Sequence, residues 1–154
     1  MILDELLYEI KLLNKDQIKT RAKKDVIEIL GEFKYIYKTT DLFEKHHLMP
    51  WELLVHLSYA AIAGDNRINV NEYELFLELT DGLIDKPSPK KLAEEIKNTD
   101  INKTIGIVDD FIDKVGKKMA KLKEILVDYA LCFTAIDGEI DDNELRLLKR
   151  LAQE

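Results

Sequence analysis

Apolar residues recur along this chain at the three- and four-residue spacing of helices. Leu3, Leu6, Leu7, Ile10 and Leu13 form one stripe, and Val26, Ile29, Leu30, Phe33, Ile36 and Tyr37 form a second. Between them, Asn14 to about Lys24 is polar and basic. Thr39-Thr40-Asp41 reads as a stop and as the cap of a short helix through Lys45. Pro50 suits a first helical position, where its missing N–H would be unpaired anyway. The stretch it opens, Trp51 to about Ala63, is apolar on most sides and reads as a buried central helix. A helix from about Val70 to Leu79 follows, then one from Pro89 to Lys97 capped by Ser88. Another is capped by Asp100 and stops at Gly116. Met119, Leu122, Leu126, Tyr129, Phe133 and Ile136 mark a long buried helix, and about Asp142 to Ala152 the last one. No segment sustains two-residue alternation. The expected fold is all-α, a single domain over 1–154 with seven or eight helices.

The pattern also repeats. Shifted by 72 residues, Leu53–Leu79 aligns without gaps on Ile125–Leu151, with 9 identities in 27 positions. These are Leu54/Leu126, Val55/Val127, Ala63/Ala135, Asp65/Asp137, Ile68/Ile140, Asn71/Asn143, Glu72/Glu144, Leu75/Leu147 and Leu79/Leu151. Each copy, about 53–79 and 125–151, reads as a buried helix, a tight turn and an amphipathic helix, so quasi-twofold packing of two helical hairpins is expected. Within the turns, Asn66 and Gly138 occupy the same position and are the residues that best tolerate a left-handed backbone. Asn69 and Asp141 stand three residues before Glu72 and Glu144, the spacing of a capping box.

Charge changes this picture. The chain has 30 acids, 23 bases and a net charge of −7. Residues 49–85 carry seven acids against one base and residues 125–154 seven against three, so −10 falls on the two repeat segments. An acidic total argues against nucleic acid as a partner. There is no run of 18 apolar residues to span a membrane, and Met1–Leu13, with Asp4, Glu5 and Glu9, does not read as a signal peptide. A cytoplasmic location is the default expectation. The basic run Lys15–Lys24 and the set Lys114, Lys117, Lys118, Lys121 and Lys123 are either solvated faces or a positive surface opposite the acidic one.

Two readings of the acidic turns stand side by side. Asp65 with Glu72, and Asp137 with Asp141 and Glu144, either cap helices and fix turns or offer oxygen ligands to a hard divalent cation such as Ca²⁺ or Mg²⁺. A normal EF-hand is excluded, because its first ligand would fall on Ala61 or Phe133 and its second on Ala63 or Ala135. His46, His47 and His56 lack zinc-ligand spacing, and His56 reads as a satisfied core histidine. A single cysteine, Cys132, excludes an internal disulfide and a cysteine-based zinc site, and on its apolar helix reads as a buried, inert thiol. Trp51 reads as a core or rim anchor. No phosphate loop, nucleophile elbow or other catalytic motif is found, so no enzyme is expected.

The repeated stretches Leu57–Leu79 and Tyr129–Leu151 resemble the TerB-like family of tellurite-resistance proteins, whose helical module also occurs in membrane-anchored DnaJ-type co-chaperones. The resemblance is carried by Ala63-Gly64-Asp65-Asn66-Arg67-Ile68 with Glu72, and by Ala135-Ile136-Asp137-Gly138-Glu139-Ile140 with Glu144, about a third of the chain. It implies an all-helical pseudo-twofold fold, an acidic face that binds metal, and a role in stress response or as an interaction module rather than a catalyst. The acidic positions carried over are Asp65, Glu72, Asp137 and Glu144. The first copy departs from the family pattern: Asn66 stands in the glycine position and Arg67 brings a positive charge, which favours the second turn as the cation site. A metal-independent adaptor that docks a basic or co-chaperone partner on the acidic face is the alternative.

Overall fold

The computed structural model describes residues 2–63, 68–116, 121–136, 138 and 148–152. Among them the chain is helical, in the order α1 (Ile2–Lys11), α2 (Lys15–Thr39), α3 (Leu42–Lys45), α4 (Pro50–Ala63), α5 (Val70–Leu79), α6 (Pro89–Lys97), α7 (Ile101–Val115) and α8 (Leu122–Ala135). Residues 148–151 are helical as well. No strand occurs among the described residues. None of their helices is long and apolar enough to cross a membrane.

Local chemistry sets most of the boundaries. Pro50 is the first residue of α4. Asn69, Ser88 and Asp100 each cap the following helix, their side-chain oxygens accepting from the N–H of Glu72, Lys91 and Lys103. Gly116 follows the last residue of α7 and donates its N–H to the Ile112 carbonyl at 2.7 Å. The basic run is the start of α2: Asn14 and Gln17 close a capping box ahead of it, and the helix then runs unbroken for 25 residues. Ahead of α3, Asp41 makes no side-chain cap bond, and Thr40 Oγ1 accepts from Leu42 N–H at 3.3 Å instead.

The end of α3 is shaped by sterics. Leu48 N–H bonds to the Phe43 carbonyl at 3.0 Å and His47 N–H to the Glu44 carbonyl at 3.1 Å, the paired bonds of a Schellman cap. His47 takes the left-handed position of that cap, with φ 55°, where glycine is usual.

Three helices form the centre. α2, α4 and α8 pack on one another; α1 lies on α8, α6 and α7 lie on α4, and α5 touches α2 and α8. α2 contributes Ile18, Ala22, Val26, Ile29, Phe33 and Ile36 from one face, all buried. Tyr37, expected in that stripe, is 49% exposed, because it lies one residue beyond Ile36 and so off the inward face. Phe33, Phe43 and Phe111 meet edge to face, with centroids 4.8–6.2 Å apart, and join α2, α3 and α7. Between α4 and α8, Ser58 Oγ donates to the Leu54 carbonyl at 2.8 Å and so receives the Tyr129 hydroxyl at 2.6 Å. Both residues are fully buried. These two central helices are the equivalent members of the repeat.

Candidate functional site

The largest contact between helices, α2 on α8, is where the polar chemistry lies. Arg21 and Asp25 are four residues apart on α2, and Asp128 and Cys132 are four apart on α8, so each pair shares a helix face. Packing brings the two faces together. Arg21 donates from Nε to Asp128 Oδ1 and Oδ2 at 2.8 and 3.0 Å, and from Nη2 to Oδ1 at 2.5 Å. The same Nη2 reaches Glu9 Oε2 of α1 at 2.9 Å. The guanidinium is held still more firmly charged than usual, chiefly by its bonds to Asp128, with burial opposing.

Asp25 and Asp128 are both buried. Arg21 compensates Asp128. Asp25 is left with Oδ2 sealed from solvent and without a hydrogen-bond partner as a carboxylate. Burial first, then its bond to Asp128 and the charge there, push its pKa up to about 9, with Arg21 pulling the other way. Near neutrality Asp25 is therefore protonated and shares its proton with Asp128. The Cys132 thiol, fully buried behind the pair, is pushed well above its ordinary value by burial and then by the charges of Asp128 and Asp25. It is a poor nucleophile, as its apolar helix suggested. Ligand atoms of Asp25, Asp128 and Cys132 lie within 4.8 Å of one another, the one such group of metal-ligating side chains among the described residues. A groove of about 1070 Å³ between α1, α2 and α8 opens onto Arg21, Asp25 and Asp128 and is bordered by Glu9, Glu28 and Ile125.

The acids picked from the repeat are placed only in part. Glu72 is at the third position of α5, buried, and closes the box with Asn69: its N–H donates to Asn69 Oδ1 at 2.8 Å, and Asn69 N–H donates to Glu72 Oε1 at 3.5 Å. The capping half of the reading is thus observed in the first turn. Asp65, Asp137, Asp141 and Glu144 lie outside the described residues, as does Asn66. Gly138 has φ +86°, the left-handed backbone expected at its position, and donates its N–H to the Ala135 carbonyl at 2.9 Å.

The basic start of α2 does not face away from the acidic segment. Lys15 Nζ bonds Asn71 Oδ1 at 3.3 Å, and Lys19 and Lys23 sit 3.9 and 3.8 Å from Glu78. These lysines screen α5 instead of forming an opposite pole, because α5 packs across α2. His46 Nε2 and Lys45 Nζ meet Asp110 at 2.8 and 3.2 Å. The His46 contact, then Lys45, holds that carboxyl below its ordinary range. His46, His47 and His56, remote from ligand spacing in the sequence, line one cavity of about 250 Å³ with Lys103. His56 is half-buried beside the Tyr59 ring, rather than within the core. Trp51 is 39% exposed, at the rim.

Pattern reading passed over Asp25 and Asp128. The available signal was an acid in the middle of each of two apolar helix faces, one with Arg21 a turn before it. No family model, no curated protein and no solved structure matches the chain.

Proposed function

We propose that this chain is a non-enzymatic, TerB-like binding module that offers the acidic turns of its two hairpins, the second above all, to a divalent cation in a stress response such as tellurite resistance. The observation that carries this reading is the direct packing of α4 on α8, the equivalent helices of the 72-residue repeat. Such packing is what a duplicated hairpin gives when its two apolar helices bury each other. The Asn69–Glu72 box and the left-handed Gly138 support equivalent turns in the two copies. Calorimetric titration of Ca²⁺, Mg²⁺ and Zn²⁺ into the wild type and Glu144→Ala tests it. Heat of binding from Ca²⁺ or Mg²⁺ below millimolar concentration, lost in the variant, is expected. Absence of heat with Ca²⁺ and Mg²⁺, and Zn²⁺ heat that is the same in Glu144→Ala, removes the cation from the turns.

A metal-independent adaptor is the second reading, and the burial of Glu72 in its capping box favours it, since a carboxylate used to order a helix start leaves the acidity to act through charge. A basic partner then binds more weakly as salt rises and on joint Asp137→Asn and Glu144→Gln substitution, and is indifferent to chelator.

A further inference from the structure

We infer that Asp25, Asp128 and Cys132 form a three-ligand site for a divalent cation of the zinc class, entered from the groove between α1, α2 and α8. The site is independent of the acidic turns and contains none of their residues. Two observations carry it. Three groups able to ligate a metal converge from two helices to within 4.8 Å. Among them Asp25 is 7% exposed, with Oδ2 sealed from solvent and without a protein N–H or O–H donor as a carboxylate, and Asp25 and Asp128 line the groove. Without metal the fold meets this burial by keeping a proton on Asp25 against Asp128, and a cation that displaces the proton supplies the same neutralisation.

The donor set selects the ion. One sulfur and two carboxylate oxygens are too soft for Ca²⁺ or Mg²⁺, which take oxygen alone, and match Zn²⁺, for which three protein ligands and an open fourth position are a common arrangement. A tetrahedral Zn²⁺ holds its ligands roughly 3.4–3.7 Å apart. Side-chain rotations that draw the groups together by about an ångström suffice to close the shell. Charge balances as well: two carboxylates and a thiolate are offset by Arg21 and a divalent ion. The protons of the Asp25 carboxyl and the Cys132 thiol leave to solvent as the metal–oxygen and metal–sulfur bonds form.

Arg21 is compatible with this role. Its two shortest bonds go to Asp128 Oδ1, and Oδ2 receives only the longer one, so Oδ2 is the oxygen left freer to ligate while Arg21 fixes the carboxylate plane. Hydrogen bonds of that kind to a ligating carboxylate orient it toward its metal. The fourth position opens on the groove, where water or a ligand's donor atom completes the shell.

Co²⁺, which reports thiolate bonding by near-ultraviolet charge-transfer absorption, is the probe. Titrated into the reduced full-length chain, it is expected to give a thiolate band saturating at one ion per chain and abolished by Zn²⁺. Cys132→Ser is expected to remove the band, and the isosteric Asp25→Asn to weaken binding at least about tenfold. Glu144→Ala is expected to leave it intact, which separates this site from the turns. If Cys132→Ser does not fold, Asp25→Asn decides. The inference is overturned if the wild type gives no thiolate band up to millimolar Co²⁺, if the band persists in Cys132→Ser, or if Asp25→Asn binds as tightly as the wild type.

Discussion

Substituting Asp25 by Asn makes permanent the neutral state that the fold imposes on this side chain. In the unfolded chain Asp25 titrates at the ordinary value of 3.8, whereas the fold raises it to about 9. Between these values the native state holds a proton that the unfolded state has lost. The contribution of a group raised in this way is fully present below the unfolded pKa and is lost as pH rises toward the folded one. Each pH unit in the window weakens the wild type by on the order of 1 kcal/mol, so a few kcal/mol disappear between pH 6 and 8. The amide introduced by Asp25→Asn cannot ionise, and its N–H can still donate to Asp128. Urea denaturation of both proteins with chelator present, at pH 6, 7 and 8, isolates the effect, because every other titrating group is common to the two. Stability of Asp25→Asn relative to wild type should rise with pH, by on the order of 1 kcal/mol per unit. A difference that does not change with pH means Asp25 is ionised in the fold, and the shared-proton description is wrong.

Other outcomes follow from contacts elsewhere. Tyr129→Phe should cost about 1 kcal/mol in denaturant, because Ser58 keeps its bond to Leu54, whereas Ser58→Ala, which leaves a buried Tyr129 hydroxyl without its partner, should cost more, about 1–3 kcal/mol. Asn69→Ala should lose about 0.5–2 kcal/mol with its cap. His47→Gly should stabilise by about 1 kcal/mol, relieving the left-handed histidine, and a lower midpoint would refute the Schellman assignment. Gly138→Val should be destabilising and Gly138→Asn milder; equal melting temperatures would contradict a left-handed backbone there.

The helix boundaries were legible because capping is local. Pro50, Asn69, Ser88 and Asp100 each act within one turn of their own position, so residue type and spacing carry the information. The all-helical class was legible from spacing alone. The start of α2 was passed over although Asn14 and Gln17 stand at capping-box spacing, since Lys15–Lys24 has the same polarity as a connector or as a solvated helix face. The Arg21–Asp25–Asp128–Cys132 cluster depends on which faces of two helices about 100 residues apart meet, and no local pattern encodes that. The same holds for the three histidines gathered on one cavity and for Glu78 beside the lysines of α2. The duplicated acid positions were visible by self-comparison. Whether they cap or ligate is a question of geometry, and Glu72 shows capping.

The most direct test of the binding-module account is a residue-resolved one: amide chemical shifts of the labelled chain during titration with Ca²⁺, Mg²⁺ and Zn²⁺. The account predicts saturable shifts with Ca²⁺ or Mg²⁺ below millimolar concentration, centred on residues 137–144, where they disappear in Glu144→Ala, and weaker at 65–72. Spectra that stay unchanged in both turns up to millimolar concentrations of all three ions would contradict it.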